Sequence, residues 1–330
     1  MEIDNIDRKI LYALHENARA SISSLAKKSN LTRETVRYRI NKLQDAGIIK
    51  GTIAKINMSF FCEGVGTVLF KLTRSDEKKF KEIIEFLKNH NSINWIAELC
   101  GSADIVITLL YKNTKDLAEK ISEIVEYMGN NLKDHKLSLY VTEYKFDRKD
   151  IIIHNVKQAC IRPNISFGEK KKLKIKLDDI DIKIISTLAE NCRIKNKEIA
   201  KTLSVSEDVV RLRIKRLEKF QVIFGYTAVL DLNKFGLESY YINLKIDKMN
   251  KEMISKIRFF AQDNPYVGYC TRIAGEYNLV ISLYAKSREH FREMFTNMRT
   301  YFGENLTDYE FQLNMQEVKE IFLPPQFLEK

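Results

Sequence analysis

Two stretches of this chain are versions of one segment: Ile3–Arg19 lies over Leu177–Arg193, and Asp4, Ile6, Asp7, Lys9, Ile10, Leu14, Glu16, Asn17 and Arg19 all recur 174 positions later. The offset holds without a gap. Val36, Arg37, Arg39, Ile40, Leu43 and Gly51 meet Val210, Arg211, Arg213, Ile214, Leu217 and Gly225, and farther on Gly101 meets Gly275 and Gly129 meets Gly303. Whatever fold the chain adopts, it adopts twice, over residues 3–145 and 177–319. Solenoid periods run to roughly 50 residues, so this is a duplicated unit and not an array. The segment between the repeats carries Pro163, Gly168, Lys170, Lys171, Lys172, Lys174 and Lys176, a composition that predicts a solvated basic linker over 148–176.

Each repeat opens as three short helices. Asp4, with Asp7 three residues on, can cap a helix whose apolar positions Ile6, Ile10, Leu11 and Leu14 fall at helical spacing. Asp178, Asp181, Ile180, Ile184, Ile185 and Leu188 repeat the pattern. A helix around Ser23–Ser29 with Leu25 and Ala26 inward, a turn at Asn30–Leu31 and a third helix capped by Thr32 complete a helix-turn-helix. In the third helix Val36, Ile40 and Leu43 share the inner face, which leaves Arg33, Glu34, Arg37, Tyr38 and Asn41 outside. Arg and Asn reach base edges bidentately in a major groove, and residues near the start of a recognition helix are the usual readers. Thr32, Arg33, Thr35, Arg37, Tyr38 and Asn41 are therefore the candidate DNA contacts of the first repeat, and Ser206, Arg211, Arg213 and Lys215 those of the second. Glu207 and Asp208 open the second recognition helix, where they suit the helix dipole but oppose phosphate; a weaker or differently specific reader is expected there. The alternating stretch Ile48–Ile56, with Gly51 in its middle, predicts a small β-hairpin wing with Lys50 and Lys55 directed at phosphate.

The second part of each repeat predicts strand, helix, strand, strand, helix, strand, with a hinge at Gly101 between the two middle strands. That is the ferredoxin-like order, giving an α+β chain. The domain boundaries that follow are 1–58 for the first winged helix-turn-helix, 59–147 for the first ferredoxin-like domain, 148–176 for the linker, 177–232 for the second winged helix-turn-helix and 233–330 for the second ferredoxin-like domain. Lys and Arg outnumber Asp and Glu by 55 to 44, a net charge of +11 that favours a polyanionic partner. The apolar runs fall far short of the roughly 18 residues of a membrane span, and the charged amino terminus lacks a signal-peptide core, so a cytoplasmic protein is expected. Cys62, Cys100, Cys160, Cys192 and Cys270 lie far apart and read as reduced thiols without metal-site spacing. Gly64 and Gly66 lead into a strand rather than a helix, which argues for turn chemistry over phosphate binding.

The duplicated helix-turn-helix, the βαββαβ half and the G-x-x-D turn Gly101-Ser102-Ala103-Asp104 together resemble the Lrp/AsnC family of transcriptional regulators, here in tandem. The resemblance implies a sequence-specific regulator of double-stranded DNA. It also implies assembly through the ferredoxin-like sheets and a small-molecule effector, commonly an amino acid, near Gly101, Ser102 and Asp104, and near Gly275, Glu276 and Asn278 in the second repeat. Asn278 stands where the first repeat has a carboxylate, which puts effector binding there in question. Trp95 reads as core or interface. No catalytic residue, cofactor or metal is expected. The linker permits either pairing of the two sheets within one chain or like-with-like pairing between chains. Two rival readings stay open: siroheme decarboxylases resemble the same two-part unit, and an amino-acid sensor could carry a vestigial helix-turn-helix. His15, His90, His135, His154 and His290 are unmatched between repeats and form no acid–base pair, which weighs against the enzyme.

Overall fold

The computed structural model describes residues 3–73, 76–146, 152, 165–166, 175–321 and 323–327. The first repeat runs α1 (Asn5–Glu16), α2 (Ile22–Ser29), α3 (Arg33–Asp45), β1 (Ile49–Ile56), β2 (Gly64–Leu72), α4 (Glu77–Asn89), β3 (Ile93–Cys100), β4 (Ile105–Tyr111), α5 (Thr114–Met128) and β5 (Leu132–Phe146). After the short β6 (Ile165–Ser166) the second repeat runs α6 (Asp179–Glu190), α7 (Asn196–Leu203), α8 (Glu207–Lys219), β7 (Ile223–Leu230), β8 (Glu238–Ile246), α9 (Lys251–Asp263), β9 (Val267–Ala274), β10 (Leu279–Ala285), α10 (Arg288–Phe302) and β11 (Leu306–Glu320). Most of the basic linker, including Lys170, Lys171, Lys172 and Lys174, lies outside the described residues, as do His154 and Cys160. Its Ile152 is buried in the core of the first helix-turn-helix, where Arg8 donates to its carbonyl at 3.1 Å.

The helices form where their local chemistry places them. Asp4 accepts from the amides of Ile6 and Asp7 at 2.8 Å, and Asp7 returns a bond to the Asp4 amide at 3.2 Å, a complete capping box that Asp178 and Asp181 repeat. The tight turn after α2 needs a left-handed residue, supplied by Asn30 (φ +57°) and in the second repeat by Ser204 (φ +55°).

The expected hairpin wing does not form. Residues 49–56 are one strand with Gly51 inside it, and β1 pairs antiparallel with β7 of the other repeat. The register is self-complementary: Ile53 faces Thr227, its own counterpart at the 174-residue offset, so a pseudo-two-fold axis passes between them. Each strand therefore starts in one domain and ends in the other. Ala54, Ile56 and Met58 are buried with Ile184, Ile185, Leu188 and Val210. Ala228, Leu230 and Leu232 are buried with Ile10, Leu14, Val36 and Leu43. A lone hairpin would have left half of this apolar strand in water, where each buried Ile or Leu is worth about 1.5–3 kcal/mol inside. Reciprocal arginines close the junction: Arg193 donates to the carbonyls of Ala18 (2.6 Å) and Ala20 (3.2 Å), while Arg19 donates to those of Cys192 and Ile194 and to Asn196 Oδ1.

Below this layer the sheets follow the ferredoxin-like order, β5-β2-β4-β3 and β11-β8-β10-β9. They then join. β5 pairs with β2 through its first half and with β9 of the other repeat through its second; β11 does the same with β8 and β3. The result is a closed antiparallel ring of eight strands with no open edge along the seam. α4 and α5 cover Val68, Phe70, Ile96 and Ile107 on the outside, and α9 and α10 cover Ile242, Leu244, Cys270 and Ile281. Leu69, Ala97, Val106, Ile273 and Val280 face inward.

Two contacts across the axis join residues that occupy equivalent positions in the repeats and yet differ in kind. Lys136 lies 3.7 Å from Glu310, and Thr67 Oγ1 lies 3.4 Å from the Tyr241 hydroxyl. Like-with-like pairing would set lysine against lysine or glutamate against glutamate, so these positions favour closure between unlike repeats. Lys136→Glu, facing Glu310 and also Glu276 at 3.1 Å, is expected to cost about 1 kcal/mol, kept small by its partial exposure, and to lower Tm by about 2 °C. Adding Glu310→Lys should recover part of the loss in the same melting experiment.

Candidate nucleic-acid interface

Thr32 caps α3, accepting from the Thr35 amide at 3.1 Å, with the two hydroxyls 2.9 Å apart. Val36, Ile40 and Leu43 are buried as their spacing predicts, and Arg33, Arg37, Tyr38 and Asn41 are exposed on the opposite face, Tyr38 at 64%. These side chains form one open surface of mixed hydrogen-bonding and apolar character.

Arg39, one position on, is spent inside the domain: its guanidinium meets Asp4 at 2.6 Å and the fully buried Asp7 at 3.1 Å, fastening α3 to the start of α1. Its counterpart Arg213, expected to touch DNA, does the same with Asp178 (2.5 Å) and Asp181 (3.1 Å). The expectation for Arg213 is corrected accordingly, since a buried carboxylate demands a paired cation. In α8 Ser206 is the cap, Arg211 is held by Asp208 at 2.6 Å, Lys215 is exposed, and Leu212 (63% exposed) replaces Tyr38. The two recognition faces thus differ at six aligned places: Ser206 for Thr32, Glu207 for Arg33, Asp208 for Glu34, Val209 for Thr35, Leu212 for Tyr38 and Lys215 for Asn41.

Loss of the hairpin also moves the wing lysines. Lys55 is buried, and Lys50 turns toward Asp231 at 3.8 Å on the wall of a cleft of about 650 Å³ between the helical layer and the barrel. On the same wall Lys319 donates to the carbonyls of Lys88 (2.7 Å) and His90 (3.1 Å), and burial pushes its ammonium down to about 8.

The two turns at which an effector is expected sit at the seam between repeats. Asp104 accepts from the Leu72 amide at 2.7 Å and pairs with Lys71 at 2.9 Å; Asn278 donates to the Ile246 carbonyl (2.7 Å) and accepts from its amide (2.8 Å). Amide and carboxylate do the same work, tying the turn to the neighbouring strand. Glu276 is paired with Lys136, and Ser102 accepts from Gln312 of the other repeat at 2.9 Å. Gly275 is required by proximity: a Cβ there would stand 2.3 Å from Ser138 Oγ and 3.1 Å from the Leu137 carbonyl. Gly101 (φ +149°) presses on Phe311 and Gln312 in the same way. The inter-repeat arginines Arg19 and Arg193 escaped the sequence reading, although their recurrence in both repeats was the available signal.

The description "Winged helix-turn-helix DNA-binding" matches residues 3–50, and "AsnC-type helix-turn-helix domain" matches residues 177–218. An HTH-type transcriptional regulator of Pyrococcus furiosus, described as uncharacterized, is 32% identical over 148 residues, 45% of this chain and 97% of the relative. The HTH-type transcriptional regulator LrpC of Bacillus subtilis is 28% identical over 134 residues, 40% of this chain and 90% of the relative. Among solved structures, the siroheme decarboxylase NirDL aligns with 97% of this chain and 94% of its own at a TM-score of 0.62 and 16% identity, a likeness of fold.

Two outcomes follow from the site. Asp4 and Asp178 are held below the usual carboxylate range, first by the amides of Asp7 and Asp181 and then by Arg39 and Arg213. A depressed carboxyl contributes stability above its unfolded value near 3.8 and loses it as pH falls through the folded value. Asp4→Asn with Asp178→Asn should therefore lower stability at pH 6 and flatten the loss of helical circular dichroism between pH 5 and 2. Gly275→Ala should cost about 1–3 kcal/mol in urea unfolding, with Ser138→Ala relieving only part of it because the Leu137 carbonyl stays in place.

Proposed function

This chain belongs to the Lrp/AsnC family of transcriptional regulators, and from that premise we propose that it reads duplex DNA as a single-chain pseudo-dimer with two unlike recognition helices. The observation that carries the reading is the self-complementary β1–β7 register, which relates α3 and α8 by a pseudo-two-fold axis. Two-fold related readers suit inverted half-sites on one face of a duplex, and the substitutions between α3 and α8 suit half-sites of unequal sequence. Thr32, Arg33, Thr35, Arg37, Tyr38 and Asn41 form the stronger reader. Ser206, Arg211 and Lys215 form the second, weakened by Glu207 and Asp208.

A small-molecule effector at the Gly101–Asp104 turn, an amino acid by family resemblance, has its support in the exposure of Gly101 and Ser102, because the Asp104 side chain is already committed. The regulator reading is favoured over the decarboxylase by the histidines. His15 bonds to Thr227 of the other repeat at 3.0 Å, His90 accepts from the Ser92 amide at 3.1 Å, His290 from the Lys286 amide at 3.1 Å, and His135 stacks on Phe70 with ring centroids 6.4 Å apart, each a structural contact.

Fluorescence anisotropy against the protein's upstream DNA and a random duplex, at two salt concentrations, tests the reading. A salt-dependent complex that prefers the upstream duplex is expected; equal affinity for both duplexes would overturn sequence-specific reading. Arg37→Ala should weaken the specific complex by about 1–3 kcal/mol and relax its sequence preference. Arg211→Ala should cost less, since Asp208 already holds that guanidinium, and Lys50→Ala should leave affinity nearly unchanged across sequences.

A further inference from the structure

Among the described residues the two most exposed large apolar side chains are Tyr38 at 64% and Leu212 at 63%. They stand 174 positions apart, so they are one position of the repeat. Phe259 comes next at 61%, but its counterpart is Glu85, and apolar exposure there is not repeated. Helix geometry sets where the shared position points. At about 100° per residue, Tyr38 lies about 200° around α3 from the buried Val36, and Leu212 lies equally far around α8 from the buried Val210. Both side chains are directed away from the core that carries their helix. Each forgoes the gain of burial in water, and Leu212 has no polar atom with which to compensate.

The neighbouring residues decide what this position meets. One turn earlier on the same outer face stand Glu34 and Asp208, an exposed acid in each repeat. Laid against phosphate, the face would bring a carboxylate to a like charge. Laid in a major groove, the acid meets cytosine amino groups and the apolar side chain meets the thymine 5-methyl, the apolar group that a base edge presents there. Arg37 and Asn41 flank Tyr38, and Arg211 and Lys215 flank Leu212, so hydrogen-bonding groups border the apolar contact on each helix.

We propose that Tyr38 and Leu212 select thymine through its 5-methyl group, one in each half-site, so that a thymine recurs at equivalent places of an otherwise unequal operator. Leu212 has only apolar surface to offer, which makes it a specificity-determining residue in a reader whose Arg211 is held by Asp208. Tyr38 adds a hydroxyl that the second reader lacks. The inference rests on the DNA-binding reading above and adds to it the base that each helix selects.

A duplex selected from a random pool by the full chain supplies the probe, and a copy with deoxyuridine for every thymine lacks only the 5-methyls. Anisotropy titration should show about fifteenfold weaker binding to the uracil copy, about fourfold for each contacted methyl. Tyr38→Ala and Leu212→Ala should each cut that ratio about fourfold, and the double variant should bind both duplexes equally. Replacing thymines singly should find two sensitive positions, one silenced by Tyr38→Ala and the other by Leu212→Ala. Tyr38→Leu, which keeps an apolar side chain, should keep the ratio. Equal affinity of the unaltered protein for the two duplexes overturns thymine selection and leaves the regulator reading standing. So does a ratio that persists in a double variant whose circular dichroism shows that it folds, or one that is lost in Tyr38→Leu. Selection that enriches no duplex sinks both.

Discussion

The pairing of β1 with β7 about Ile53 and Thr227 is the constraint on which the rest of the molecule depends. Each strand begins under its own three helices and ends under those of the other repeat, so neither helix-turn-helix has a complete core by itself. Separating the domains would expose Ala54, Ile56 and Met58 on one side and Ala228, Leu230 and Leu232 on the other. It would also leave the carbonyls that Arg19 and Arg193 satisfy without donors. Because the register is self-complementary, the same hydrogen bonds that stabilise the junction relate the two recognition helices. Stability and reading geometry rest on one ladder.

Duplication within a chain removes a requirement that a homodimer cannot escape. In a symmetric pair every residue on the axis faces itself, which excludes charge pairing there. Here Lys136 faces Glu310 and Thr67 faces Tyr241, and the recognition faces carry different side chains on a common frame. The asymmetry of the interior and that of the readers have a single origin in unlike repeats held by a symmetric backbone.

Much of the fold was legible because it is local. The capping boxes at Asp4 and Asp178, the caps at Thr32 and Ser206 and the apolar spacing of Val36, Ile40 and Leu43 act over three or four residues, and sequence order displays them directly. The candidate site was legible in part. Arg37, Tyr38 and Asn41 are open as periodicity requires, whereas Arg213 is consumed by a carboxylate 35 positions away. Lys55 disappears into a strand pairing that no local signal distinguishes from a hairpin. Gly101 and Ser102 also serve strand approach at a seam with Phe311 and Gln312, some 210 residues away, whereas Asp104 ties the turn to Leu72 within its own repeat.

The sequence by itself determined the duplicated unit, the helices with their caps, the order of elements and the chemistry offered by each recognition face. Those properties are set by side-chain spacing and by bonds within a turn or two of backbone. Only the tertiary structure decided which strand each strand would pair with, and that the two sheets would close into one barrel. An extended strand offers the same donors and acceptors to any neighbour, and the choice falls to whichever register buries both apolar faces at once.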